Sequence, residues 1–228
     1  EIKFLESKQL KQKFLTLSKS DLFLNNIFKE YWVKNIDLYT YTLSFLAKNN
    51  ISISLRELQK QINESKKIST KTIIDYIDYS IQTKILKRVY AFDLKTNKAI
   101  QSKAKYYFTD NWIRNSLVNF NTQKNILVEN LIFNILEYNN IKIFTWLNWK
   151  FEFSFYWEKD SKKIYIHISK QIKKEEIKKE VNKLLKIWTE SKKYLLIESK
   201  EKSAIRKVEY GNVKIMEVWE FLENFTKK

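Results

Sequence analysis

Residues 71–117 read KTIIDYIDYSIQTKILKRVYAFDLKTNKAIQSKAKYYFTDNWIRNSL, and the change of period inside this stretch decides the fold. Up to about Thr83 the isoleucines recur at helical spacing. Ile73, Ile74, Ile77 and Ile81 form the expected buried face of a helix that opens at Ser69. From Ile85 to Phe92, and again from Lys105 to Phe108, β-branched and aromatic residues dominate. These are two strands joined by a loop of Lys, Asn, Thr and Ser.

Upstream, Leu38, Tyr41, Thr42, Phe45 and Leu46 share one face of a helix that stops at Asn49-Asn50. Ile51 to Ile53 is a short extended piece. Ser54 followed by Glu57 has the spacing of a capping box, opening a second helix through Leu55, Leu58 and Ile62. A polar turn from Asn63 to Lys67 leads into the Ser69 helix. Three helices followed by a β-hairpin is the winged-helix order, assigned here to residues 36–115. Residues 1–35 carry helical spacing at Phe4, Leu5, Leu10, Phe14 and Leu15 and form a separate segment.

Downstream, 116–228 changes character. A helix from Lys124 to Glu137 precedes strands at about 141–147, 149–157 and 163–169. A charged helix at about 173–190 is followed by strands at Tyr194–Glu198 and Val213–Val218 and a closing helix. The order α-β-β-β-α-β-β-α predicts a mixed sheet flanked by helices, so the fold class is α/β, of the α+β kind.

Composition removes several chemistries. The chain has no Cys, which excludes disulfides, thiolate zinc sites and cysteine nucleophiles. His167 is the one histidine and Gly211 the one glycine. A poly-His metal centre and a glycine-rich phosphate loop are therefore not expected. No apolar run reaches the ~20 residues of a membrane span. With no leader peptide and an opening Glu1 rather than Met, the expectation is a soluble, cytoplasmic chain cut from a longer one.

The net charge is +17, which points to anionic partners, nucleic acid first. Lys outnumbers Arg, Asn and Ile are abundant and Pro is absent, a pattern that an AT-rich genome produces on its own. Location is more telling. Residues 66–105 hold ten basic side chains against Asp75, Asp78 and Asp93. Lys66, Lys67, Ser69, Thr70 and Lys71 open the third helix, where backbone amides, hydroxyls and ammonium groups suit phosphates. Lys87, Arg88, Lys95, Lys98, Lys103 and Lys105 line the hairpin. The expected partner is DNA, held by its backbone. Asp75 and Asp78 on the same helix favour the alternative, a protein-docking module.

The 71–117 stretch, together with NILVENLIFNIL at 125–136, resembles the C-terminal region of a large prokaryotic AAA-type ATPase family, over about residues 25–228. Members of that family carry an ATPase, a winged helix and a PD-(D/E)XK nuclease-like domain of unknown function. The resemblance implies that 1–35 is the tail of an ATPase lid and that ATP is bound only by an upstream domain outside this chain. It also implies a nuclease-like fold with degenerate positions. Glu129 stands at the helix glutamate, Ser154 where the second strand carries Asp, and His167 and Ser169 where the third strand carries its Glu/Gln and Lys/Ser pair.

Strand alternation sets Trp149, Phe151, Phe153, Phe155 and Trp157 on one face, and Lys150, Glu152, Ser154 and Tyr156 on the other. Glu152, Ser154, His167 and Ser169 are then expected to share a face near Glu129. Glu129 and Glu152 are the only hard ligands in that set, so Mg²⁺ enters only under a nuclease reading. The favoured expectation is a chain without catalytic residues, metal or cofactor. On residue type alone, His167 is expected to be hydrogen-bonded and half-buried, and Glu129 to pair locally.

Overall fold

A computed structural model of the chain describes residues 31, 33–93, 96–119, 123–148, 151–159, 162–169, 174–187, 191–197 and 211–226. The helical reading of 1–30 lies outside the described residues. The rest divides into two compact units. One holds the residues up to Arg88 together with Ser102–Gln123, and the other holds Val89–Gln101 together with the residues from Lys124 onward.

The first unit contains α1 (Ile36–Lys48), α2 (Leu55–Asn63), α3 (Thr70–Gln82), α4 (Asn111–Leu117) and the base of a hairpin, β1 (Leu86–Asp93) and β2 (Lys98–Phe108). Each helix starts on a side-chain cap. Asn35 Oδ1 accepts from Leu38 N at 2.9 Å. Ser54 and Glu57 exchange both bonds of the capping box, at 3.2 and 2.9 Å. Ser69 accepts from Thr72 N, and Asp110 from Trp112 N. Ile53 and Ala104 exchange backbone hydrogen bonds of 2.9 and 3.2 Å, an isolated bridge that ties the short extended piece to β2. Along the chain the order is thus helix, bridging residue, two helices and hairpin.

Both apolar faces are rotated from the sequence expectation. α1 buries Tyr39, Thr42, Leu43, Leu46 and Ala47, with Leu38, Tyr41 and Phe45 half-buried. α3 buries Ile73, Tyr76, Ile77 and Ser80, with Ile74 and Ile81 half-buried. The cause is one polar pair inside the core. Tyr39 Oη and Ser80 Oγ meet at 2.8 Å, and Tyr39 packs edge-on against Tyr76. A phenol fits this depth only with a partner for its hydroxyl and a small residue opposite, and Ser80 supplies both. Arg114 of α4 is also buried and donates through Nη2 to the Ala47 carbonyl, near the C-terminal end of α1 where a cation is favoured.

The chain has little glycine for its turns, and two helices end on other residues. At the end of α3, Lys84 N bonds Ile81 O and Ile85 N bonds Ser80 O, with Lys84 at φ 57°. At the end of α5 (Lys124–Tyr138), Asn140 N bonds Glu137 O and Ile141 N bonds Leu136 O, with Asn140 at φ 56°. Both are left-handed C-terminal caps in which a side-chain-bearing residue takes the usual glycine position.

The second unit adds β3 (Phe144–Asn148), β4 (Phe151–Lys159), β5 (Lys162–Ser169), α6 (Lys174–Leu185), β6 (Ser191–Ile197), β7 (Val213–Glu217) and α7 (Val218–Thr226) to α5. That order is the one expected from the sequence. The strands form a seven-stranded mixed sheet in the order β2-β1-β3-β4-β5-β6-β7. β4 pairs antiparallel with both β3 and β5, and β5, β6 and β7 run parallel. The fold is thus α/β. Ile177, Val181 and Leu184 of α6 pack on Phe153, Tyr156, Tyr165, Leu195 and Ile197, forming the core of one face. α5 and α7 pack together, and Phe221 of α7 lies against Tyr194, which points to the opposite face from Leu195.

The hairpin extends further than expected, since β2 begins at Lys98 rather than near Lys105. Its outer part belongs to the second unit, where β1 pairs in parallel with β3 through Ala91↔Thr145 and Phe92↔Trp146.

Candidate functional site

The polar residues of the α2–α3 turn are occupied by the turn itself. Asn63 Oδ1 accepts from Ile68 N at 2.8 Å, and Gln59 Nε2 donates to Ile68 O at 3.1 Å. Thr70 Oγ1 donates to Gln59 Oε1, and Ser69 caps α3 while touching Thr72 Oγ1 at 2.8 Å. Ser69 and Thr70 therefore hold the start of the helix. What this turn presents outward is charge: Lys66, Lys67 and Lys71 are exposed around the first turn of α3. Arg56 and Lys60, exposed and four apart on α2, carry further positive charge. The sequence reading passed over both, although their spacing was the available signal. None of these five cations has a carboxylate partner among the described residues.

The hairpin cations divide differently. Arg88 Nη2 lies 2.7 Å from Asp78 Oδ1, with its guanidinium 6.0 Å from the centre of the Tyr106 ring. Lys103 Nζ is 3.5 Å from Glu57 Oε1. Lys105 is only 4% exposed and lies over the Tyr107 ring, so its ammonium is not presented to a phosphate. Lys87 is half-buried and Lys98 exposed. Lys95 lies outside the described residues. Of the expected surface, Lys66, Lys67 and Lys71 at the α2–α3 turn and Lys98 on the hairpin are thus exposed without a carboxylate partner among the described residues.

The nuclease-like constellation is split by the sheet. Tyr165 and His167 alternate onto the α6 face, and Ser169 follows them by period. There His167 Nε2 donates to Glu180 Oε2 at 2.9 Å, while Lys183 Nζ bonds both Glu180 oxygens at 2.6 and 2.8 Å. The hydrogen bond from His167, aided by Lys183, holds the Glu180 carboxyl down to about 2. Phe153 meets the imidazole edge-on at 5.3 Å, and His167 Nδ1 is buried without a hydrogen-bond partner. His167 is therefore half-buried and hydrogen-bonded, as its residue type suggests.

The expected aromatic stripe is also broken. Phe144 pairs with Tyr156 while Trp146 pairs with Phe153, so β4 carries one extra residue between Phe153 and Tyr156. The bulge puts those two on the same face. Ser154, at the bulge, is buried and accepts from Ile168 N at 3.1 Å. Glu129 is buried on α5, the helix that packs with α7 on the opposite side of the sheet from α6. Glu129 is thus on the other side of the sheet from His167, not near the face expected to hold Glu152, Ser154, His167 and Ser169. The Glu152 side chain lies outside the described residues. Among the described residues no group of three histidine, aspartate or glutamate side chains is placed to hold a metal ion.

No helix among the described residues is long and apolar enough to cross a membrane. No family model, no curated protein and no solved structure matches the chain.

Proposed function

We propose that this chain binds nucleic acid, specifically the phosphate backbone of duplex DNA, as the non-catalytic C-terminal region of an AAA-type ATPase. One observation carries the binding part. Among the described residues Arg56, Lys60, Lys66, Lys67 and Lys71 are exposed on α2 and around the start of α3 without carboxylate partners, whereas Arg88 and Lys103 each have one. The ATPase part rests on the resemblance of residues 71–117 and 125–136. Short hydroxyls committed to the turn leave lysines as the contacting groups, so recognition follows charge rather than base sequence.

Fluorescence anisotropy with a labelled duplex, titrated at several salt concentrations, tests the reading. The logarithm of the affinity should fall linearly with the logarithm of salt, with a slope of about −0.9 for each phosphate contact. Replacing Lys66, Lys67 and Lys71 with Glu should reduce that slope by about 2 to 3. Binding that ignores salt removes the proposal. The non-catalytic part is tested by incubating supercoiled plasmid with the chain and Mg²⁺ or Mn²⁺, where the plasmid should remain intact.

A further inference from the structure

The lysines of the second unit are treated differently by the two faces of the sheet. On the α6 side they are engaged. Lys193 is buried, with its Nζ 2.8 Å from Ile187 O and 3.3 Å from Asn212 Oδ1. Lys183 is paired with Glu180.

The opposite side differs. Val213 and Ile215 of β7 point to the α6 core, as do Leu195 of β6 and Tyr165 of β5. Alternation then sends Lys162, Lys192 and Lys214 to the other face. Register makes them neighbours: Ile164 pairs with Lys192, and Tyr194 pairs with Lys214. Each lysine is thus one strand over and two residues along from the next, a step of about 8 Å. All three are exposed, and none has an ion-pair partner among the described residues. α7, on the same face, contributes the exposed Glu220 and Glu223, and neither pairs with these lysines.

A row of three unpaired ammonium groups repels itself. It is stabilised by an extended ligand with regularly spaced negative charges rather than by one small anion. We propose that Lys162, Lys192 and Lys214 form a second phosphate-backbone contact, carried by the α/β unit and distinct from the cations of the α2–α3 turn. This rests on the reading of the chain as a nucleic-acid-binding protein.

The test uses the full chain and a labelled random-sequence duplex. One variant combines Lys162→Glu, Lys192→Glu and Lys214→Glu. A charge-matched control carries Lys34→Glu, Lys178→Glu and Lys179→Glu, three exposed lysines outside the row. The row variant should lower the salt slope by about 2 to 3 beyond the control. A variant with Gln at the same three positions should show a smaller loss in the same direction, and circular dichroism checks that all variants fold. Row and control variants that weaken binding equally overturn the proposal, as does wild-type chain that binds no duplex. If reversal of Lys66, Lys67 and Lys71 has no effect while the row variant does, the turn is not the contact and the row stands alone.

Discussion

Glu180 Oε2 and His167 Nε2 face each other at 2.9 Å across the α6–β5 interface, and Lys183 closes the other side of the carboxylate. The carboxyl is held down to about 2, first by the hydrogen bond from His167. An acid with a depressed folded-state value contributes stability that is complete above its ordinary value of 4.5 and is lost as pH falls toward about 2. The side chain is 18% exposed, so the contribution is about 2 kcal/mol after allowance for solvent screening. Urea unfolding at pH 5 and at pH 2.5 should show Glu180→Gln losing less stability on acidification than wild type. Parallel losses in the two proteins would mean that the pair contributes nothing.

Asp78 and Arg88 join the third helix to the base of the hairpin at 2.7 Å. Both are partly exposed, so Asp78→Asn should cost no more than about 1 kcal/mol in thermal stability. The same change removes a carboxylate from α3 and releases a guanidinium. Duplex affinity should rise about three- to fivefold, equivalent to about 0.5–1 kcal/mol. A drop in affinity would place DNA away from this helix and favour protein docking.

Lys105 separates net charge from location. It is buried over Tyr107, so Lys105→Met should leave the salt slope of duplex binding unchanged. A slope reduced by about 1 would show that its ammonium reaches a phosphate after all.

What could be read from sequence was local. The Ser54–Glu57 capping box depends on residues three apart, and both of its bonds are present. The order of the strands and of the longer helices follows from period, whereas the short α4 (Asn111–Leu117), which the sequence reading lacks, has too few turns to show one. What escaped depends on contacts between distant segments. The turning of α1 and α3 follows from Tyr39 meeting Ser80, 41 residues away. The separation of Glu129 from His167 follows from α5 and α6 packing on opposite sides of the sheet. The bulge after Phe153 has no signature, because one extra residue in a strand of Phe, Ser, Tyr and Trp leaves the composition unchanged. Lys105 reads as a surface residue by type, yet it sits in a run from Ala104 to Phe108 that is buried throughout.

The scarcity of glycine leaves a measurable strain. Lys84 holds φ 57° at the end of α3, in a cap that glycine occupies without cost. Asn140 does the same after α5 at φ 56°, but asparagine tolerates that region better than lysine. Glycine at position 84 relieves the side-chain clash in the folded chain and loses some of the gain to the greater freedom of the unfolded chain. The Lys84 side chain is exposed, so little packing is lost. Lys84→Gly should therefore stabilise the protein by about 0.5–1 kcal/mol, and Asn140→Gly by less. The difference appears in chemical-denaturation midpoints measured side by side. If Lys84→Gly destabilises the chain as an ordinary helix-surface glycine does, the left-handed cap after α3 is not present in solution.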